Sequence, residues 1–272
     1  MRAHTFTLLF AITTSLLVSS AQAALIASDD FNSYTAGQNL SGVNGGTGWT
    51  NAWAADSGDV TTQSGDIPGA GVSMQVTDDG STDPIAKRLF ASQTGSVYLG
   101  FQLKATDFAS DEFFQIYLNN GLADNSKGGS VGMRNAAGNP AFARVGGSSN
   151  TTNLVGSAVD DGEVHQIVLK LSKTGLGHAS NYDFAEVFVD LATENTGAPA
   201  ANYGSQTGNS GVSALSSVAF RTHQLNLESD FVYIDNLRIA TTYAEVLAIP
   251  EPSSILLISL GLGYVLILRR RK

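Results

Sequence analysis

Apolar and polar residues alternate along much of the chain between positions 24 and 244. In "SVYLGFQLKA", Val97, Leu99, Phe101 and Leu103 share one side, with Tyr98, Gln102 and Lys104 on the other. A two-residue period is that of a strand with one buried face. "FFQIYLNN" repeats it with Phe114, Ile116 and Leu118, and "VHQIVLKLSK" with His165, Ile167, Leu169 and Leu171. "YDFAEVFVDL" reads either way, Ala185, Val187, Val189 and Leu191 being its more apolar side. "SSVAFRTH" and "FVYIDNLRIA" predict two further strands near the end. The spacers, such as "NNGLADNSKGG", "VGGSSN" and "VDDGE", are rich in Gly, Asn and Asp, which supply positive φ and side-chain turn bonds. No long stretch has helical periodicity, and no tandem repeat of fixed period is present. The pattern predicts an all-β fold, an antiparallel β-sandwich.

The two ends read differently. Residues 1–23 have one cation at Arg2, an apolar stretch from Phe6 to Val18 and a small-x-small close at Ala21-Gln22-Ala23. This is the pattern of an N-terminal signal helix removed by signal peptidase after Ala23. One domain is expected over 24–244, then a linker over 245–254 holding Pro250, Glu251 and Pro252. A short transmembrane helix is expected over 255–268 and a basic cytoplasmic tail over 269–272. Fourteen helical residues reach about 21 Å, short of a hydrocarbon core of about 30 Å. Such a span suits temporary retention better than a durable anchor. Arg269, Arg270, Arg271 and Lys272 should stay on the cytoplasmic side, leaving the Pro-Glu-Pro triplet at the outer face.

The chain has no cysteine, which excludes disulfides, thiol catalysis and Cys-based zinc sites. Its net charge is −9, but the terminal segments carry five of the 15 cations and one of the 24 acids. The domain between them therefore has 10 cations against 23 acids, a net −13. Such a domain should repel nucleic acid and anionic membrane surfaces.

Pro250-Glu251-Pro252-Ser253, the apolar run Ile255 to Leu268 and the closing Arg269 to Lys272 together resemble the PEP-CTERM sorting signal. The resemblance implies a Gram-negative bacterium that makes exopolysaccharide. It also implies cleavage near the triplet by exosortase, a membrane protease. The protein would be tethered to the inner membrane in transit, then reach the cell surface or the medium. "SDDFNSYTAGQNLSGVNGGTGWTNAW" and "VYIDNLRIATTYAEV" resemble concanavalin A-like (LamG-like) jelly-roll domains. That resemblance implies that the first strand and the late Ile-Asp-Asn strand lie close in one sheet.

Among jelly rolls, laminarinase-type enzymes carry Glu-x-Asp-x-x-Glu or Glu-x-Asp-x-Glu on one strand, supplying the two carboxyls that glycoside hydrolysis needs. The nearest match is Glu228-Ser229-Asp230, but Val232 and Tyr233 stand where the third acid would be. No pair of histidines stands at metal-ligand spacing. His165 reads as a hydrogen-bonded core or edge residue. Dense oxygen occurs at Asp78, Asp79 and Asp83, and at Asp160, Asp161 and Glu163. Related jelly rolls imply a structural calcium near the terminal strands, where Asp30 (or Asp29) could meet Asp235. Trp49 and Trp53 are candidate carbohydrate platforms, or else plugs for the end of the sandwich. The expected function is a non-enzymatic surface or matrix protein associated with exopolysaccharide. The alternatives are a lectin-like carbohydrate-binding module and a glycoside hydrolase or lyase with an unfamiliar site.

Overall fold

The computed structural model describes residues 24–55, 60–77, 85–106, 108, 112–121, 128–134, 140–146, 153–176, 178, 180–223, 225 and 230–247. The expected signal helix, the Pro-Glu-Pro motif, the transmembrane helix and the basic tail lie outside these residues. Among the described residues, no helix is long and apolar enough to cross a membrane.

The elements in chain order begin with β1 (Leu25–Asp29), β2 (Ala54–Ala55), β3 (Val60–Ser64), β4 (Val72–Val76) and β5 (Ile85–Gln93). The middle holds β6 (Val97–Thr106), β7 (Phe113–Asn119), β8 (Gly129–Arg134), β9 (Pro140–Val145) and β10 (Asn153–Ala158). The chain continues with β11 (Asp161–Ser172), β12 (Phe184–Val189), β13 (Tyr203–Thr207), β14 (Leu215–His223) and β15 (Val232–Ala240), and ends in a short helix, α1 (Tyr243–Leu247). The strands form two antiparallel sheets. The first has eight strands in the order β13-β12-β11-β6-β15-β4-β3, with β1 also on β15. The second has seven, in the order β10-β9-β8-β7-β14-β5-β2.

The alternating residues explain why these sheets face each other. Val97, Leu99, Phe101 and Leu103 from the first sheet and Phe114, Ile116 and Leu118 from the second enter one shared core. Ile167, Leu169, Leu171, Ala185, Val187 and Val189 join them. Fully burying one such side chain contributes about 1.5–3 kcal/mol, so a register slip that turned these residues outward would be prohibitive. Leu191 departs from the expectation: it packs against the outer cluster instead. Asp190 adopts φ of 54°, which breaks the alternation just after β12 ends.

β15 is the hinge of the topology. Val232–Ile234 pair with Met74–Val76 of β4, and Leu237–Ala240 pair with β1. One edge of one strand thus serves two partners in succession. Between them the ladder with β6 is irregular from Asp235 to Arg238, and Asn236 sits at φ of 50°. The expected closeness of the first and late strands is therefore direct pairing.

The two outer faces differ. On the first sheet, Tyr98, Val168, Phe188 and Ala240 are buried beneath Tyr243 and Val246 of α1. Gly100 permits that contact, since a Cβ there would lie 2.7 Å from Val246 Cβ and 2.8 Å from its carbonyl oxygen. On the second sheet, the described residues leave a hollow.

Candidate functional site

The loop after β1 returns Trp53 to the core, where it is 2% exposed. Its ring lies 6.4 Å from Phe31 and 5.7 Å from Phe220, and its indole N–H donates to Asp29 Oδ2 at 3.1 Å. A ring without an exposed face cannot stack on sugar, so the expectation of Trp53 as a carbohydrate platform is corrected to a core role. Trp49 is half-buried, donates to the Ser28 carbonyl at 3.0 Å and has the Arg88 guanidinium 4.9 Å above its ring. Both tryptophans belong to a hub around a buried ion pair. Arg88 Nη1 donates to Asp29 Oδ2 at 2.8 Å, with both side chains fully buried. Tyr34 Oη also donates to Asp29 Oδ2, at 2.5 Å, and the Phe31 N–H donates to Oδ1 at 3.0 Å. Arg88 spends its remaining donors on the Asn51 carbonyl and Asn44 Oδ1. Burial pushes the Asp29 carboxyl above its ordinary value, while the bonds from Tyr34, Phe31 and Trp53 and the Arg88 charge pull it down. The hub is structural: its polar groups are already satisfied by one another.

Asp29 is thereby committed, and Asp30 alone remains to approach Asp235. Asp30 lines a small hollow of about 120 Å³ together with Ser28, Asn236 and Arg238. Asp235 is 1% exposed, and among the described residues its Oδ1 has no hydrogen-bond partner. Its Oδ2 accepts from Asn236 Nδ2 at 3.2 Å. Burial pushes the Asp235 carboxyl up to about 7; the Asn236 N–H opposes this, and the charges of Asp30 and Asp29 add to it. Calcium takes six to eight oxygens, and among the described residues no three acids or histidines converge as a metal cluster. The orphaned Oδ1 fits a hard cation. Burial holds the Arg238 pKa below its ordinary value, against the charges of Glu245 and then of Asp30.

The other candidate loops contribute less. Asp78, Asp79, Asp83 and Glu228 lie outside the described residues. Asp161 accepts from His165 Nε2 at 3.1 Å, and His165 Nδ1 meets Asp190 Oδ2 at 2.7 Å. His165 is thus clamped by two carboxylates on a strand that lies between β12 and β6.

The hollow on the second sheet went unseen in the sequence. On β7, Phe114 and Ile116 point into the core, so Phe113 and Gln115 point out. Register then builds a row across four strands: Arg221 opposite Gln115, Gln115 opposite Gly132, and Gly132 opposite Phe142. Gly132 has no room for a side chain, since a Cβ would lie 2.8 Å from Gln115 Cα. The row therefore dips at its centre. The resulting cavity is about 220 Å³, lined by Phe113, Gln115, Arg134, Phe142, Arg144 and Arg221. Three of the domain's ten cations meet there, and no carboxylate is among the described lining. The Arg144 guanidinium lies 5.4 Å above Phe142, and Arg221 lies 5.2 Å above Phe113. Gln115 is 2% exposed, and among the described residues its Nε2 and the buried Nε–H groups of Arg134 and Arg144 have no partner. Burial, and then the charges of Arg134 and Arg221, hold the Arg144 pKa below its ordinary value. Buried donors without acceptors are rare in folded proteins and call for an explanation. Here they converge on one cavity. Their sequence signal was the cation inside each of three apolar runs, "GSVGMR", "AFARV" and "VAFRTH".

The fold is an antiparallel β-sandwich of the jelly-roll kind. It is similar to a botulinum neurotoxin type C structure described by its interaction with two ganglioside molecules (10% identity, TM-score 0.50, 81% of this chain and 48% of that one). It is also similar to the binding domain of botulinum neurotoxin DC in complex with rat synaptotagmin II (9% identity, TM-score 0.50, 81% and 48%). The similarity spans about half the length of each toxin chain. A lectin, UEA-II, complexed with galactose is more distant (11% identity, TM-score 0.42, 70% of this chain and 93% of that one). No curated protein matches the chain. Residues 248–272 match the PEP-CTERM protein-sorting motif. The chain carries this motif, which marks an exported protein processed by an exosortase and held at the membrane in transit to the surface.

Proposed function

We propose that this is a non-enzymatic component of the cell surface or extracellular matrix that holds extracellular polysaccharide on the outer face of the second sheet. The observation that carries the reading is the cavity whose buried donors, Gln115 Nε2 and the Nε–H groups of Arg134 and Arg144, have no acceptor among the described residues. Aromatic rings at Phe113 and Phe142 supply apolar walls beside them. A solved structure of similar fold is described by its interaction with ganglioside molecules, which supports a sugar-binding use of the scaffold. A catalytic reading is weaker, because glycoside hydrolysis needs two carboxyls at the sugar and the cavity offers cations and an amide. A polysaccharide pull-down against the organism's own exopolysaccharide tests the proposal. Retention by the full chain supports it; release of reducing sugar from the same polymer would overturn the non-enzymatic part.

Delivery completes the proposal. Signal peptidase acts after Ala23, the inner membrane of a Gram-negative cell holds the segment 255–268, and exosortase cuts near Pro250-Glu251-Pro252. Mass spectrometry of the mature C-terminus checks this, since Arg269 to Lys272 retained on the surface form would contradict it.

The orphaned Oδ1 of Asp235 favours a second ligand, a structural calcium held by Asp235 and Asp30. Calcium should raise the unfolding temperature of the native chain and leave the Asp235→Asn variant unmoved. An equal shift in both would place the ion elsewhere.

A further inference from the structure

The chemistry of the second-sheet cavity narrows the ligand further. We infer that it receives an anionic substituent of a sugar, a uronate carboxylate or a sulfate, clamped by Arg134 and Arg144. This rests on the polysaccharide reading above and adds the charge class of the sugar.

Three features lead to it. The first is charge segregation. The domain carries a net −13, yet three of its ten cations share one cavity of about 220 Å³ with no carboxylate among the described lining. Like charges gathered in a half-buried hollow repel, and the lowered pKa of Arg144 has that repulsion among its causes. An anion between them relieves it. The second is donor chemistry. Every orphaned polar atom in the lining, Gln115 Nε2, Arg134 Nε and Arg144 Nε, is an N–H donor, so the missing partner is an acceptor. Guanidinium forks match the geometry of planar carboxylates and of sulfate. The third is size. A volume of about 220 Å³ falls below the ~300–1,000 Å³ of pockets for drug-sized ligands. It suits one ring with its substituent, its apolar face against the partly exposed Phe113 and its anionic group on the arginines. The acidity of the surrounding domain argues for a short acidic stretch or a chain end, because a long polyanion would be repelled beyond the screening length of about 8 Å.

The test compares polygalacturonate, dextran sulfate and neutral dextran as ligands for the full chain at physiological salt. A parallel experiment follows the arginine Nε–H resonances on adding free glucuronate or sulfate. The acidic polymers should bind at least about tenfold more tightly than dextran, the scale of one charge-assisted hydrogen bond. Whichever of the two binds tighter separates carboxylate from sulfate. Arg144→Gln should lose about tenfold in acidic-polymer affinity without loss of thermal stability, and Arg144→Lys should fall between. Equal binding of dextran and the acidic polymers, or an Arg144→Gln variant that binds like the native chain, would overturn the anion inference while leaving the polysaccharide reading intact. Shifts of the Arg134 and Arg144 resonances with glucuronate, but no polymer bound, would support the anion site and defeat the polysaccharide reading. No response to polymer or free anion would defeat both.

Discussion

Two sets of arginines with buried polar atoms sit about the β-sandwich, and they are treated in opposite ways. Arg88 lies between the sheets with its donors spent on Asp29, Asn51 and Asn44. Arg134 and Arg144 lie on the outer face of the second sheet with buried Nε–H groups that meet no partner among the described residues. A buried charge that is fully paired is part of the framework, and removing one partner strands the other. Buried donors left open are a cost the fold bears without structural return. The first arrangement holds the protein together; the second fits a ligand that arrives later. The carboxylates repeat the contrast, since Asp29 accepts several bonds while Asp235 keeps an oxygen unpaired.

Breaking the framework should give the largest effect. Arg88→Met leaves Asp29 buried without its cation and should cost about 3–5 kcal/mol. Arg144→Met removes a cation that repels its neighbours and should change stability by no more than about 1 kcal/mol in either direction. Urea unfolding of both variants measures the difference. Similar losses would erase the distinction between framework and open site.

The unpaired carboxylate comes next. Asp235 has its pKa raised to about 7, chiefly by burial. A group whose folded pKa lies above its unfolded value stabilises the fold below the unfolded value, and that contribution is lost as pH rises through the folded one. The native chain should therefore lose on the order of 3 kcal/mol between about pH 4 and pH 7 from this residue. Asp235→Asn should remove that slope and be the more stable form at neutral pH. An unchanged slope would assign it to another group.

The outer faces extend the comparison from charges to surfaces. Helix α1 closes the first sheet's outer face over Tyr98 and Phe188, and Gly100 leaves the space for Val246. Gly100→Ala must displace Val246, at an overpacking cost of about 2 kcal/mol. Polysaccharide retention should be unaffected, because the cavity belongs to the other sheet. Loss of retention in this variant would place the binding face under the helix.

The sequence showed the inner faces well and the outer hollow hardly at all, and the reason is physical. Burial of alternate residues leaves a local, two-residue pattern, so Val97 to Leu103 and Phe114 to Leu118 could be assigned from their own neighbours. β8 and β9 hide that pattern, since both their faces are largely buried. The cavity is assembled by register. Arg221 comes to lie beside Gln115 because β14 inserts next to β7, and Gly132 makes the dip because Phe114 and Gln115 of the neighbouring strand crowd it. None of these meetings leaves a trace at short range. Trp53 was ambiguous for a similar reason: its bond to Asp29 spans 24 residues of loop.

The smallest effect belongs to a residue between the two extremes. His165 is clamped by Asp190 and Asp161, but both carboxylates are close to half exposed, at 43% and 45%. The bond to Asp190, and after it the bond to Asp161, raise the His165 pKa to about 9 against the opposing effect of burial. Its stabilising contribution is complete below the ordinary value of about 6.5 and disappears as pH climbs through about 9. Asp161 shifts the other way: burial raises it, but the Glu163 N–H and His165 outweigh that and hold it below its ordinary value. Its contribution is present above about pH 4 and lost on acidification. The clamp is thus strongest between about pH 4 and pH 6.5. Solvent screening of the exposed carboxylates reduces it to about 1 kcal/mol. His165→Gln should flatten the alkaline limb of the stability curve by that amount, read as the change in unfolding midpoint between pH 6 and pH 10. A loss as large as that of Arg88→Met would mean that partial exposure does not weaken a paired charge here, and the division between framework and open site would have to be redrawn by partner number alone.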